Sequence, residues 1–522
     1  MDIDGIRPRK AGQFKKRSVD GFGPAPVRRR PASQSSLAPV ASTPKRRPPA
    51  TAVQPVSPAD AKRFLLPKYH APERPQKIVK KRHRGLRIFL QAASVGLALF
   101  LATGGFLVWK GYTKFHKVFH GTTTVAALSS KRVAPQLLNG EGDGRVNILL
   151  LGVGGPGHDG PDLTDTIVIL SVDPVNDTAT MVSIPRDLWV DMPINYFGKQ
   201  QKINAAYESG KYHYIGHLDP SNKNAAAVQA GFGAIDTTLK QVLNININYH
   251  VLVNFQAFRQ AIDTVGGVTV DVPTALVDPT MAWENHWNPV LAPAGVQQMN
   301  GVQALLYARS RETSSDFARA ERQRQILVAL KDKVLTAGTL SNPAKIDGLM
   351  NAFGDNVYSD LSSQGAVRLM GIMKKMADNK VDSVGLTDEG HQLVTTDHVG
   401  TASVVRPIAG FGNYTAIQTY VRTQMPDGYI VKENAPITVL APTTTGATAD
   451  AALLKTYGYN VTTTAVTDQP VPTVMLVDLS KGKDPYTRHY LETRYNVKAV
   501  TSLSDSISVN PGSAKFVIIE SK

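Results

Sequence analysis

The chain of 522 residues has no cysteine. That excludes disulfides, Cys-ligated zinc and thiol catalysis. Aromatic residues make up only 7%. A surplus of acid is also lacking: the formal charge is +16. That basicity is local, because 22 of the 58 basic and 5 of the 42 acidic residues fall within residues 1–87, leaving a net −1 beyond them. The rest of the chain therefore carries no compositional reason to bind nucleic acid. No GxSxG, HExxH or phosphate-loop GK[ST] pattern is convincing, so those routes to hydrolase, metalloprotease or nucleotide chemistry lack a signature.

Residues Ile88–Trp109, IFLQAASVGLALFLATGGFLVW, contain no charge. As a helix rising about 1.5 Å per residue they match a hydrocarbon core of ~30 Å. The basic run Lys77–Arg87 precedes them, with only Lys110, Lys114 and Lys117 close behind. The positive-inside bias puts the N-terminus in the cytoplasm and the chain from about 110 outside, as an uncleaved signal anchor. Residues 1–87, rich in Pro, Arg, Ser and Ala, read as a disordered cytoplasmic tail.

After a polar connector, 110–143, strands are expected at Val146–Val153, at TIVILSVD and at TATMVSIP, with helices at NAAYES and AAAVQAGFGAIDTTLKQVL. YHVLVNF, QAFRQAIDTV and GGVTVDVP continue the alternation as strand, helix, strand. NGVQALLYA is a helix, and a long helix runs from Asp316, its N-cap, to about Leu335. This order predicts an α/β layered domain over 144–430. A second, smaller α/β pattern covers 435–522.

Polar groups collect beside this framework. SIPRD carries Arg186 and Asp187 past the end of a buried strand, where open α/β sheets bind ligands. QKINAAY supplies Lys202, YARSR supplies Arg309 and Arg311, and DFARAERQRQ supplies Arg319, Arg322 and Gln323 at helical spacing. Guanidinium forks match phosphate oxygens two at a time, so this cluster points to a pyrophosphate. Asp159, Asp162 and Asp165, in or beside the Gly-rich loop, are the oxygen ligands at hand for a Mg²⁺. Trp283 and Trp287 in MAWENHWNP read most simply as a small satellite core, or else as a surface for sugar rings or a lipid tail.

NILLLG, LTDTIVI, SIPRD, KINAAY, VNFQAFRQAIDTVGGVTVDVP, MNGVQALLYARSR and DFARAERQRQ, in this order over about 145–337, resemble the LytR-CpsA-Psr family. Residues 435–522 resemble the small domain that often follows. The resemblance implies a three-layer α-β-α catalytic domain behind one transmembrane helix, with a groove for a polyprenyl chain and its pyrophosphate at the mouth. It also implies Mg²⁺-dependent transfer of a glycopolymer from that carrier to a sugar hydroxyl of peptidoglycan, leaving a phosphodiester. On the matching motifs, Arg186, Lys202, Arg309, Arg311, Arg319, Arg322 and Gln323 fall at pyrophosphate positions and Asp165 at a metal or phosphate position. Two positions depart from the family pattern: Gly154 stands where an Asp usually closes the first strand, and Leu163 where an Arg often stands. Asp159 or His158 in the longer loop are the replacements available. The rival expectations are a polyprenyl-pyrophosphate hydrolase and a non-catalytic wall-binding or regulatory scaffold.

Overall fold

The computed structural model describes residues 118–522, apart from 130–131, 218–223, 312–315, 336–344, 346–347, 350, 352, 355, 377–380, 389, 468–470, 472–473, 503–511 and 522. The expected tail, the anchor run 88–109 and the cap assigned to the Asp316 side chain lie outside the described residues. Among the described residues, no helix is long and apolar enough to cross a membrane.

The chain folds as mixed α/β. Its main sheet is built from β1 (Phe119–Gly121), β2 (Val146–Val153), β3 (Thr164–Asp173) and β4 (Thr178–Ser183), then β5 (Tyr249–Asn254), β6 (Val357–Ser362) and β7 (Val381–Gly385). The seven strands lie in the order β1-β6-β5-β2-β3-β4-β7. The apolar run VNILLLGV thus forms a central strand, antiparallel to β3 and parallel to β5. Buried on both faces, such a strand needs no polar alternation.

Of helices α1 (Ala205–Ile215), α2 (Ala225–Leu243), α3 (Phe255–Val265), α4 (Gly301–Arg309) and α5 (Asp316–Leu335), all but α1 follow the spans that periodicity gives; α1 runs on to Ile215, past the expected NAAYES. Capping fixes several starts. Asn224 accepts from Ala227 N, Asn254 from Ala257 N, and Asn300 with Gln303 forms a reciprocal capping box. α4 is seated hard against α3: a Cβ on Gly301 would fall 2.2 Å from the Arg259 carbonyl oxygen. That contact requires glycine at the entry of the helix that ends in Arg309.

A four-stranded sheet (Pro436–Ala441, Asn460–Val466, Met475–Asp478, Phe516–Ile519) with helices Thr444–Thr456 and Pro485–Tyr495 forms the C-terminal region. The connector is more than a tether. Val133 and Leu138 pack in that region's core, and buried Asp427 accepts from Gly142 N and Gly144 N.

His250 on β5 is 6% exposed and both ring nitrogens face carboxylates. Nδ1 lies 2.6 Å from Asp360 on β6, and Nε2 lies 2.9 Å from Asp236 on α2. Burial disfavours its charge, but the Asp236 and Asp360 hydrogen bonds outweigh this and push its pKa up to about 9. A raised cationic pKa stabilises the fold below the unfolded value near 6.5 and is lost as pH rises through 9. Denaturant unfolding should therefore show roughly 3 kcal/mol less stability at pH 9.5 than at pH 6, at about 1.4 kcal/mol per unit. His250→Gln should be less stable at pH 6 and lose most of that slope; an unchanged slope would remove His250 as its source.

Candidate functional site

A cleft of about 410 Å³ opens between the sheet and helices α3, α4 and α5. Its deep part is apolar, with Leu150, Val253, Phe258, Leu305, Leu327 and Leu330 among its walls. Its mouth is polar: Asp165, Arg186, Arg309, Arg311, Arg319 and Gln323 all line it. Six of the eight residues expected at a phosphate site therefore share one cavity.

The chain brings the mouth together by backbone pairing. Arg186 follows β4 directly, while Asp165 opens β3, and the two form an ion pair. The Asn204 carbonyl accepts from Thr164 N and Thr164 Oγ1, fixing the strand end beside Asp165. Trp189 pairs with Lys202 in a short antiparallel ladder, which returns Lys202 toward Asp187. Lys202 Nζ lies 2.6 Å from Asp187 Oδ1, with Arg186 Nε 3.3 Å and Arg311 Nη2 3.6 Å from Asp187 Oδ2. Burial alone would raise the Asp187 pKa, but Lys202, Arg186 and Arg311 hold it below the usual carboxylate range. It is therefore ionised and a poor proton acceptor.

Arg309 ends α4 and stands 4.9 Å above the Phe255 ring, with Glu284 2.8 Å from its Nη1. Ser310 then leaves the helix at φ −54°, ψ 141°, so YARSR is half helix rather than an extended run. Both arginines nevertheless reach the mouth.

Lys202 and Arg322 stand behind the lining. Arg322 Nε donates to the Tyr307 carbonyl at 2.8 Å and Nη2 to that of Ser310 at 2.5 Å, and Gln323 Nε2 donates to that of Ala308 at 3.3 Å. These are α4's terminal carbonyls, which a cation suits. Arg322 thereby positions the segment that carries Arg309 and Arg311.

The acids of the loop are divided. Asp162 is buried and held by Lys211 Nζ at 2.9 Å and Tyr212 Oη at 2.6 Å. Asp159 is exposed, and it is His158 that folds back, edge-on to Phe255 at 5.0 Å. Leu163 packs against the main core. Asp165, with a side chain 37% exposed, opens into the cleft. Among the described residues no group of three or more His, Asp or Glu forms a metal cage. One carboxylate beside a cationic mouth suits Mg²⁺, which takes one or two carboxylates and fills its shell from phosphates and water.

Sequence reasoning missed Glu284 and Asp278. Asp278 is 1% exposed and accepts from Ser310 Oγ at 2.7 Å and Arg311 N at 3.3 Å. Its other oxygen caps the turn that begins the Trp283–Trp287 loop, accepting from Thr280 N at 3.0 Å. An Asp-Pro start to a loop was the available signal. Trp283 and Trp287, read as a satellite core, are instead 64% and 81% exposed.

The family model of LytR_cpsA_psr proteins matches residues 112–404. This chain belongs to the LytR-CpsA-Psr family. TagV of Bacillus subtilis (strain 168), named a polyisoprenyl-teichoic acid–peptidoglycan teichoic acid transferase, is 32% identical over 226 residues, 43% of this chain and 51% of its own length. TagU of Oceanobacillus iheyensis, with the same description, is 30% identical over 316 residues, 60% of this chain and 87% of its own. A crystal structure of B. subtilis TagV aligns at 27% identity and TM-score 0.40, over 54% of this chain and 97% of that one. The chain thus spans about half the length of the first relative and most of the second. Within the LytR-CpsA-Psr segment lie Asp165, Arg186, Lys202, Arg309, Arg311, Arg319, Arg322 and Gln323.

Asp278→Ala should strand the Ser310 hydroxyl and the loop amides. Each buried unsatisfied donor costs about 1–3 kcal/mol. Chemical denaturation should show a loss of that order or more, together with weaker pyrophosphate binding. Wild-type stability in this variant would mean the carboxylate does not hold the segment.

Proposed function

We propose that this protein transfers a glycopolymer from a polyprenyl-pyrophosphate carrier to a sugar hydroxyl of peptidoglycan during cell-wall assembly. The observation that carries the reading is the pairing of one apolar cleft with one cationic mouth. An isoprenoid tail suits the leucine- and phenylalanine-lined depth, and its pyrophosphate suits the arginines at the opening. The relatives described as teichoic acid transferases support the same class of reaction.

Arg186, Arg309, Arg311 and Arg319 bind and orient the two phosphates. Counting Lys202 and Arg322 behind them, six cations face four carboxylates, Asp165, Asp187, Asp278 and Glu284, so the mouth stays net positive. The acceptor oxygen attacks the sugar-side phosphorus and forms the new P–O bond. The bond to the bridging oxygen breaks, and its electron pair leaves on the lipid phosphate. Preorganised guanidinium groups meet the charge that develops there, where water is displaced and such contacts are strongest. The proton departs on the released phosphate, whose second pKa is about 6. Asp165 would hold a Mg²⁺ with the carrier phosphates, and that ion would supply further charge neutralisation.

The anchor reading belongs to the same proposal. Residues 88–109 hold the chain in the cell membrane, single-pass, with the tail cytoplasmic and the catalytic domain outside. Alkaline phosphatase fused after Lys522 should be active and fused after Pro75 inactive; the reverse pattern would refute this topology.

Mass spectrometry of lipid bound to purified protein should find polyprenyl phosphate or pyrophosphate, absent from Arg309→Ala/Arg311→Ala. That variant should remain folded and lose transfer by at least 100-fold. Near-normal transfer would reject the assignment. Product release that is the same with and without an acceptor glycan would favour a hydrolase.

A further inference from the structure

Trp283 and Trp287 occupy a loop that two of its residues, Asp278 and Glu284, fasten to the site. Asp278 caps its first turn and holds Ser310 and Arg311, while Glu284, next to Trp283, grips Arg309. At its far end Asn285 Nδ2 donates to the carbonyls of Asn288 and Val290 at 2.9 and 3.0 Å. His286 and Trp287 sit at φ 52° and 63°, a left-handed conformation rare for a bulky side chain. Trp287 N closes that turn on the Ala282 carbonyl at 2.7 Å.

A loop so constrained still leaves both indoles in water, although burying a large apolar side chain is worth about 1.5–3 kcal/mol. Strain of this kind concentrates at ligand sites. The flat face of an indole suits the C–H face of a pyranose ring. Exposed His286 and Asn288 supply polar groups beside it for hydroxyl or acetamido groups. Asp278–Pro289 contains two acids and no Lys or Arg, which disfavours an anionic lipid surface and a phosphate-bearing polymer alike. An uncharged sugar chain fits that balance.

We infer that Trp283 and Trp287 form a stacking platform for the acceptor glycan, delivering its hydroxyl to the arginine-lined mouth. The inference rests on the transfer reading above. Arg309 links the two directly, since it lines the cleft and pairs with the residue next to Trp283.

The test titrates the full-length protein in detergent with a neutral β-1,4-linked N-acetylglucosamine tetrasaccharide, followed by indole fluorescence and calorimetry. Saturable binding is expected, at least 10-fold weaker in Trp283→Ala/Trp287→Ala and within about threefold of wild type in Trp283→Phe/Trp287→Phe. Carrier-pyrophosphate binding should stay unchanged in both. Absent binding by wild type, or equal affinity in the double-Ala variant, overturns the platform even if transfer itself is demonstrated. Quenching of these two indoles by brominated acyl chains after reconstitution, with no saccharide response, would make them membrane contacts instead. Retained saccharide stacking in a protein that neither binds carrier nor transfers polymer would refute the transferase reading and leave the platform standing.

Discussion

Asp187 lies 4% exposed at the point where three separate stretches of chain converge, and each brings it a cation: Arg186 from the end of β4, Lys202 from a short hairpin, Arg311 from beyond α4. Without that charge the cations would repel one another and the stretches would have no common centre. With it, the desolvation cost of a buried carboxylate is offset by three partners, two of which keep their outer faces wet. A structural acid therefore assembles a cationic mouth. The positive charge left over keeps the opening of the cleft cationic.

Around that centre the same logic repeats. Asp278 organises the 278–290 loop and the Ser310–Arg311 turn with one side chain. Arg322 closes the end of α4 from the neighbouring helix. The arginines that face the cleft are held by carboxylates and by helix-end carbonyl contacts, so ion pairs and helix ends set the geometry of the mouth. This matches a need for fixed dipoles aimed at a charged group.

Much of the architecture was legible in the residues themselves. α2, α3, α4 and α5 follow apolar spacing and Asn caps, and β2 follows an unbroken apolar run. The site residues were visible as motif residues, and six of the eight, four of them arginines, meet at one cavity. What the sequence concealed is long-range pairing. Glu284 is 25 positions from Arg309, Asp360 is 110 from His250, and β6 reaches β5 from over a hundred residues away. Partner choice at such separations depends on the closed fold, which no local period encodes. The loop acids could not be told apart for a related reason: Asp162 looks like Asp165 in sequence, yet Lys211 and Tyr212 enclose it.

The family-matched stretch ends at residue 404, but the main core does not. Ile417, Val421 and Met425 pack into it from the helix beyond. From the other side, the 132–144 strip threads into the C-terminal sheet region, pinned by Asp427 and by Glu141 against Arg494. The two ends of the described chain are thus stitched to each other across the main domain. Exchanging the terminal module for another would leave Val133 and Leu138 without their core and Glu141 without Arg494. The C-terminal region and its leader form a clasp with both halves on one strap.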